Sequence, residues 1–193
     1  IANNYNAPRN ALSLRKIAAD SINKLHSNFG WMFQTLHKPS RERIVSALSC
    51  IDSKDSPDLS EFGSVGTINY TVWSDVFACP ECAGEIIFWD SAVDVENGMV
   101  RDVFPCPHCG AEQTKRRLER VMTSIQDPAL GTTIKQAKIV PVRINYTFGG
   151  KRYDKIPDQA DLALADKIER SPVNGRFPHQ RLMPGQETRR NDP

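Results

Sequence analysis

Cys79-Pro80-Glu81-Cys82 and Cys106-Pro107-His108-Cys109, two CxxC pairs with 23 residues between them, decide how this 193-residue chain reads. Two such pairs at this separation are a strong metal signature. A CxxC turn aims two thiolates at one point, and nearby backbone N–H groups offset part of their charge. Two turns together supply the tetrahedral sulfur shell that zinc accepts at about 2.3 Å per bond. Gly84 and Gly110, each within two positions of its pair, are expected to let the turns close without a side-chain clash. Two disulfides, four free thiols or an iron–sulfur site are the other uses of four such cysteines. No charged, then apolar, then small-residue leader opens the sequence, which argues against an oxidising compartment. A closed four-sulfur shell leaves no position for water or substrate. The expected zinc is therefore structural, adds on the order of 10 kcal/mol to folding, and is held less firmly at low pH as thiols protonate.

Strands are expected on both sides of the first pair. Ile68, Tyr70 and Val72 alternate, and Trp73, Val76 and Phe77 carry the pattern into Cys79. Glu85–Trp89 reads as the strand leaving it, which sets Phe77 beside Ile86 and Asp75 beside Phe88. Asn97-Gly98, flanked by Val93, Val95, Val100 and Val103, suits a type I′ hairpin turn. The arms of that hairpin are unequal, so the first is expected to bend or bulge around Asp90-Ser91. Thr114–Met122 reads as a short helix with Leu118 and Val121 inward. Asp127–Gly131 reads as a turn. Ile134–Tyr146 alternates loosely, and Gly149-Gly150 turns the chain into Lys151–Lys155, a second and basic hairpin.

Farther out, Leu12, Leu14, Ile17, Ala18, Ile22, Leu25 and Phe29 form a helical stripe, with Asn10 as its cap and Gly30 as its stop. Asp158–Ile168, begun by Pro157, is an amphipathic helix. Residues 38–66 hold only the apolar island Ile44, Val45, Ala47 and Leu48 among Ser, Asp, Pro and Gly. They read as a possible short helix, then a mobile connector from Ser49 to Gly66. The expected fold class is α+β: a zinc ribbon and antiparallel β-hairpins with flanking helices. It divides into an N-terminal helix (1–37), a variable connector (38–66), the ribbon (67–112), a basic hairpin plus helix (113–170) and an extended, proline-bearing tail (171–193).

Length and composition allow a real core: 39% of residues are hydrophobic. Mean hydropathy is −0.46, and the best apolar run, Ile86–Trp89, is far below the roughly 18 residues of a membrane span. Charge is divided along the chain although the net value is only +2. Residues 42–112 hold thirteen acids against three bases, whereas 113–155 hold ten bases against three acids. The acidic ribbon is a poor phosphate binder. Phosphate contacts are expected from Lys115, Arg116, Arg117, Arg120, Lys135, Lys138, Arg143, Lys151, Arg152 and Lys155. The plainer alternative is a set of solvated faces that cancel on folding.

Cys50 stands apart and reads as a small buried or half-buried hydrophobe. His108 reads as a surface contact rather than a fifth ligand, and His26, His37 and His179 receive no role. There is no GxSxG, Walker loop or GxGxxG, and Asp75 and Asp90 read as solvated strand residues rather than an acid pair. The segment itself is expected to be non-catalytic. Ile1 and Asn191-Asp192-Pro193 read as ends cut from a longer polypeptide.

Several strings resemble the zinc-ribbon insertion region of large bacterial and archaeal adenine-specific DNA methyltransferases. They are IANNYN (1–6), GWMFQTLH (30–37), INYTVWSDVFACPEC with GEIIFWDSAVD (68–94), VRDVFPCPHCGAE (100–112), DPALGTTIKQAKIVPVRINYTFGGKRYDK (127–155) and LMPGQETRRNDP (182–193). That resemblance implies an S-adenosylmethionine-dependent parent enzyme with a Rossmann-like core, whose target base leaves the duplex stack. Only the zinc ligands carry over, onto Cys79, Cys82, Cys106 and Cys109. The family's FxGxG-like donor loop and [DNS]PP[YFW] catalytic tetrapeptide are absent from this sequence, and the 49–66 connector departs from the shorter link of the family. The implied role is a non-catalytic accessory segment that assists DNA binding or target recognition. Its partners would be DNA and the remainder of the methyltransferase chain, with no membrane, in the cytoplasm. The alternative is a scaffold or protein-docking module that does not contact DNA.

Overall fold

A computed structural model describes residues 11–127 and 131–172. α1 (Ala11–Phe29) forms where the apolar stripe predicts it and ends at Gly30, where a Cβ would press on the His26 ring at 3.2 Å. A 3-10 turn (Gly30–Phe33) then carries Trp31 into the core, followed by β1 (Gln34–Leu36). α2 (Arg41–Ser53) is capped by Ser40, whose hydroxyl accepts from the Arg43 N–H, and a second 3-10 turn covers Leu59–Phe62. The long β2 (Val65–Ala78) enters the first cysteine pair. β3 (Glu85–Ile87), the helical turn α3 (Phe88–Ala92), β4 (Val93–Asp94) and β5 (Met99–Val100) follow. β6 (Phe104–Pro105) and β7 (Glu112–Gln113) bracket the second pair. Beyond a 3-10 turn at Lys115–Arg117 come β8 (Glu119–Arg120), β9 (Met122–Asp127), β10 (Thr132–Ala137), β11 (Ile139–Phe148) and β12 (Lys151–Lys155). α4 (Gln159–Arg170) closes the described chain behind a reciprocal capping box of Asp158 and Asp161.

The fold is α+β, with antiparallel strands, and β2 is its spine. The first half of β2 lies between β1 and β11 in the order β1-β2-β11-β12, while its last residues pair with β3 and β8. β11 slips register against β2 between Pro141 and Arg143. Proline has no N–H to give a ladder, so a bulge there costs no donor. Gly66 lies under Tyr146, and a Cβ at this position would run into the tyrosine ring.

Two apolar clusters share this spine. The first joins Trp31, Leu36, Ala47, Ile51 and Leu59 to Ala160 and Leu164 of α4. The second joins Phe77, Ile86, Ala92, Phe104 and Leu118 to Cys79 and Cys106. The stretch expected to be a mobile connector therefore contributes to the first core. Leu59 is fully buried, and Cys50 and Ile51 are buried on α2.

Other expectations need local correction. Thr114–Met122 is not a helix. Nine residues make a marginal helix alone, and here β8 pairs with Phe77 and Ala78 of β2 while Leu118 packs inward. The Asn97-Gly98 hairpin exists, but Val93 pairs with Val100 and Asp94 with Met99, leaving a four-residue loop rather than a type I′ turn. The Asp94 carboxylate accepts from both the backbone and side-chain amides of Asn97, which holds the wider loop. The bend expected at Asp90-Ser91 is α3. The basic hairpin across Gly149-Gly150 forms as read, with Tyr146 opposite Tyr153. The β9–β10 hairpin, with Ile125 opposite Ile134, lay outside the sequence expectations. No described helix is long and apolar enough to cross a membrane. Residues 1–6, His179 and the tail from 173 onward lie outside the described residues.

Candidate metal centre

The two CxxC turns are built alike. In the first, Cys79 N–H donates to Gly84 O at 2.9 Å and Ala83 N–H to Cys79 O at 2.8 Å. In the second, Cys106 N–H donates to Ala111 O and Gly110 N–H to Cys106 O, both at 2.9 Å. β2 and β3 support one turn and β6 and β7 the other, so each hangs from a paired strand stem. The left-handed residue just after each pair is Ala83 (φ 57°) in one turn and Gly110 (φ 75°) in the other. Gly84 has a different role from the conformational one expected. A Cβ there would lie 2.6 Å from His108 Cδ2 and 3.2 Å from Cys82 Sγ, so glycine is required by the close approach of the opposite turn.

The four sulfurs converge. Cys79 Sγ and Cys109 Sγ are 3.8 Å apart, as are Cys82 Sγ and Cys106 Sγ. All four lie within 4.8 Å of one another, with Cys79 and Cys106 buried and Cys82 and Cys109 exposed. These separations are far beyond the roughly 2.05 Å of a disulfide bond, and every cysteine is a free thiol. Four thiols at these distances can hold a single metal ion, whereas a multi-iron cluster needs a wider cage.

Backbone and side-chain donors surround the sulfurs. Gly84 N–H points at Cys82 Sγ and His108 N–H at Cys106 Sγ, each at 3.4 Å, and Gln113 Nε2 donates to Cys79 Sγ at 3.7 Å. In the metal-free cluster, desolvation pushes the Cys106 thiol up. The Cys109 and His108 N–H groups and the neighbouring thiols outweigh it and bring Cys106 down to about 6. The Gly84 N–H favours a Cys82 thiolate, but desolvation and the other three sulfurs push this thiol up to about 12. Cys109 is likewise raised despite the Ala111 N–H. The Cys106 thiolate therefore forms readily, while Cys82 and Cys109 keep their protons. Metal loading at pH 7 is expected to expel the Cys82 and Cys109 protons, measurable as a buffer-dependent heat in titration calorimetry.

Gln113 is a supporting residue that sequence reasoning missed, and His108, read there only as a surface contact, is a second support. His108 is no ligand. Its Nε2 donates to the Glu85 carbonyl at 2.8 Å, which ties the second turn to the strand leaving the first and fixes the proton on Nε2. Glu85 in turn pairs with Lys138 at 2.6 Å. Gln113 is fully buried and its Oε1 has no partner among the described residues. Gly84→Ala is expected to wedge apart the His108 contact and lower metal affinity at least about 10-fold in chelator competition. Ala83→Gly, which relieves a left-handed alanine, is expected to preserve it.

The ten basic candidates do not share one face free of acids. Arg117 pairs with Glu81 at 3.3 Å, Arg120 with Asp75 at 3.3 Å and Arg143 with Asp154 at 3.6 Å. With Lys138–Glu85, three of these pairs join the basic segment to the acidic one, so part of the charge division cancels on folding. Asp75 is therefore a paired residue and not half of an acid pair. Lys115 Nζ sits 4.6 Å over the Phe88 ring. Lys155 is half-buried and paired with both Asp158 and Asp161, so little of it faces solvent. Arg116, Lys135, Lys151 and Arg152 are exposed and make no ion pair with another described residue. His37, expected to have no role, stacks on Phe148 at 4.2 Å and shares a 2.9 Å hydrogen bond with Tyr146 Oη. Comparison with family models, curated proteins and solved structures gave no match.

Proposed function

We propose that this chain is a non-catalytic, zinc-stapled accessory segment of a DNA (adenine-N6) methyltransferase that helps hold or select DNA. The observation that carries the non-catalytic part is the 3.8 Å spacing of the facing sulfurs. A tetrahedron with sulfurs about 2.3 Å from its centre has edges of about 3.8 Å, so four thiolates fill the shell of a zinc ion. Such an ion has no open position at which to polarise a substrate or activate water. The resemblance of residues 68–94 and 100–112 to the methyltransferase insertion supports the choice of parent. S-adenosylmethionine belongs to that parent, because this sequence has neither the donor loop nor the catalytic tetrapeptide. A cytoplasmic setting, where thiols stay reduced, belongs to the same reading.

DNA contact in this reading falls mainly to Arg116, Lys135, Lys151 and Arg152. Exposed pairs such as Arg117–Glu81 are worth at most about 1 kcal/mol, so a phosphate can compete for the arginine. Lys155 drops out of the interface. The second reading, a scaffold that docks without touching DNA, is favoured by the three ion pairs that already occupy Arg117, Arg120 and Lys138. Two measurements on the full chain decide. Metal analysis is expected to return one zinc per chain. Duplex affinity is expected to fall steeply with salt, and to lose slope when the four exposed bases are neutralised. Absence of duplex binding at low salt would establish the docking reading, and methyl transfer by this chain alone would overturn both.

A further inference from the structure

The two cysteine turns repeat each other over ten residues: Phe77–Ile86 reads FACPECAGEI and Phe104–Gln113 reads FPCPHCGAEQ. Their stems share one register. Phe77 pairs with Ile86 and Ala78 with Glu85 in the first, Phe104 with Gln113 and Pro105 with Glu112 in the second. Ile86 and Gln113 therefore occupy the same place in the two units, and both are fully buried. That place takes an apolar side chain in one unit and a carboxamide in the other.

A buried carboxamide where the twin packs isoleucine is unfavourable unless its polar atoms are answered. Here half of it is answered. Oε1 has no hydrogen-bond partner among the described residues, whereas Nε2 donates to Cys79 Sγ at 3.7 Å. Four thiolates around a divalent ion leave an excess of negative charge. Cys82 and Cys109 are exposed, so water solvates their share of it. Cys79 and Cys106 are buried in the apolar cluster with Phe77, Ile86 and Phe104, and these two sulfurs depend on donors from the protein. Cys106 has the backbone N–H of His108 at 3.4 Å. Cys79, the matching sulfur, has a side-chain donor, which a single substitution can remove.

We infer that Gln113 is a metal-retaining residue, an inference that rests on the four-thiolate zinc reading above. Its Nε2–H group holds the buried Cys79 thiolate and offsets part of its charge, and the fold gives up at this place the apolar packing that the twin keeps. Gln113 is not a ligand; it acts through Cys79.

In the full chain, Gln113→Ile, which copies the twin, is expected to hold zinc at least about 10-fold less tightly in chelator competition. Gln113→Met, unbranched like glutamine and without a donor, is expected to do the same, and it decides the matter if the isoleucine variant loads no metal. In the cobalt(II)-loaded forms the sulfur-to-cobalt charge-transfer band is expected to move to lower energy, because a thiolate without its donor gives up an electron more easily. Packing alone predicts the opposite sign. Both replacements remove the orphaned oxygen and add apolar contact, so zinc would be held as tightly or more tightly and the band would stay. Undiminished zinc binding overturns the inference, and so does weaker binding with an unmoved band. A wild-type chain that takes up neither ion overturns it together with the zinc reading, whereas loaded variants that match a loaded wild type overturn it alone.

Discussion

With the proposed zinc on the four cysteines, chelating it is expected to unfold the second apolar cluster and leave the first standing. Cys79 and Cys106 are themselves members of the second cluster, beside Phe77, Ile86 and Phe104. The strands that enclose it are very short: β4 through β8 have two residues each, and β3 has three. Pairings of that length have no stability of their own in water. A structural zinc contributes on the order of 10 kcal/mol or more, which exceeds anything these ladders offer. The first cluster draws on α2, α4 and the Leu59 turn, and none of its members lies in a cysteine turn. Both clusters meet on β2, whose residues 67–75 are held by β11 whether or not the ion is present. Hydrogen exchange with and without chelator is expected to show lost protection from Phe77 through Arg120. Protection in α2, α4 and the β2–β11 ladder should be retained, with the boundary falling between Val76, whose N–H donates to Lys138 O at 3.0 Å, and Phe77. Cys79→Ser and Cys106→Ser are expected to reproduce the pattern. Full protection of 77–120 after verified metal removal would remove the ion from the account of this fold, and collapse of α2 and α4 with it would show one cooperative unit.

How far the sequence disclosed this arrangement depends on the range of the interactions involved. The Phe77–Ile86 pairing was legible, because a CxxC turn dictates where the chain reverses and period-two patterning sets the register on both sides. The convergence of the four cysteines was legible for the same reason. Ser49–Gly66 was misread because its composition is that of a linker. Its two decisive residues, Ile51 and Leu59, are buried against Ala160 and Leu164, about a hundred positions later, and no local window contains both sides of that contact. Thr114–Met122 offered Leu118 and Val121 at helical spacing, but one pair of apolar residues three positions apart does not tell a helix from a turn running into a strand. The opposed charges of 42–112 and 113–155 were visible as totals. That Arg117 answers Glu81 and Lys138 answers Glu85 is a product of the tertiary fold. His108 shows the same limit: it was seen at the tip of its turn, but its acceptor, the Glu85 carbonyl, lies on the opposite one.

Lys155 is the basic residue whose position in the fold most changes its meaning, and replacing it is expected to cost about 3–5 kcal/mol of stability, the range for breaking a buried pair. Its ammonium lies 2.6 Å from Asp161 Oδ2 and 2.7 Å from Asp158 Oδ2, and donates to the Leu36 carbonyl at 3.2 Å. Asp161 also accepts from Thr35 Oγ1 at 2.6 Å, so this one cluster fastens β12 and the start of α4 to β1. Burial pushes the Asp161 carboxyl up, and the Lys155 ammonium works against that rise. Lys155→Met keeps the aliphatic stem and removes the opposing charge, leaving Asp161 and Asp158 side by side. The sign of the pH dependence follows. A carboxyl raised in the folded state binds more protons there than in the unfolded chain, so stability falls as pH rises through its range. Without Lys155 the rise is larger, so the variant's deficit is greatest at neutral pH and shrinks on acidification. Urea melts at several pH values check this, with Lys155→Met, Asp161→Asn expected to recover much of the loss. Duplex affinity and its salt slope, measured below the melting range, are expected to match wild type because Asp158 and Asp161 already hold and largely shield this ammonium. A deficit under about 1 kcal/mol, the scale of an exposed pair, would return Lys155 to the surface charges and to the candidate DNA interface.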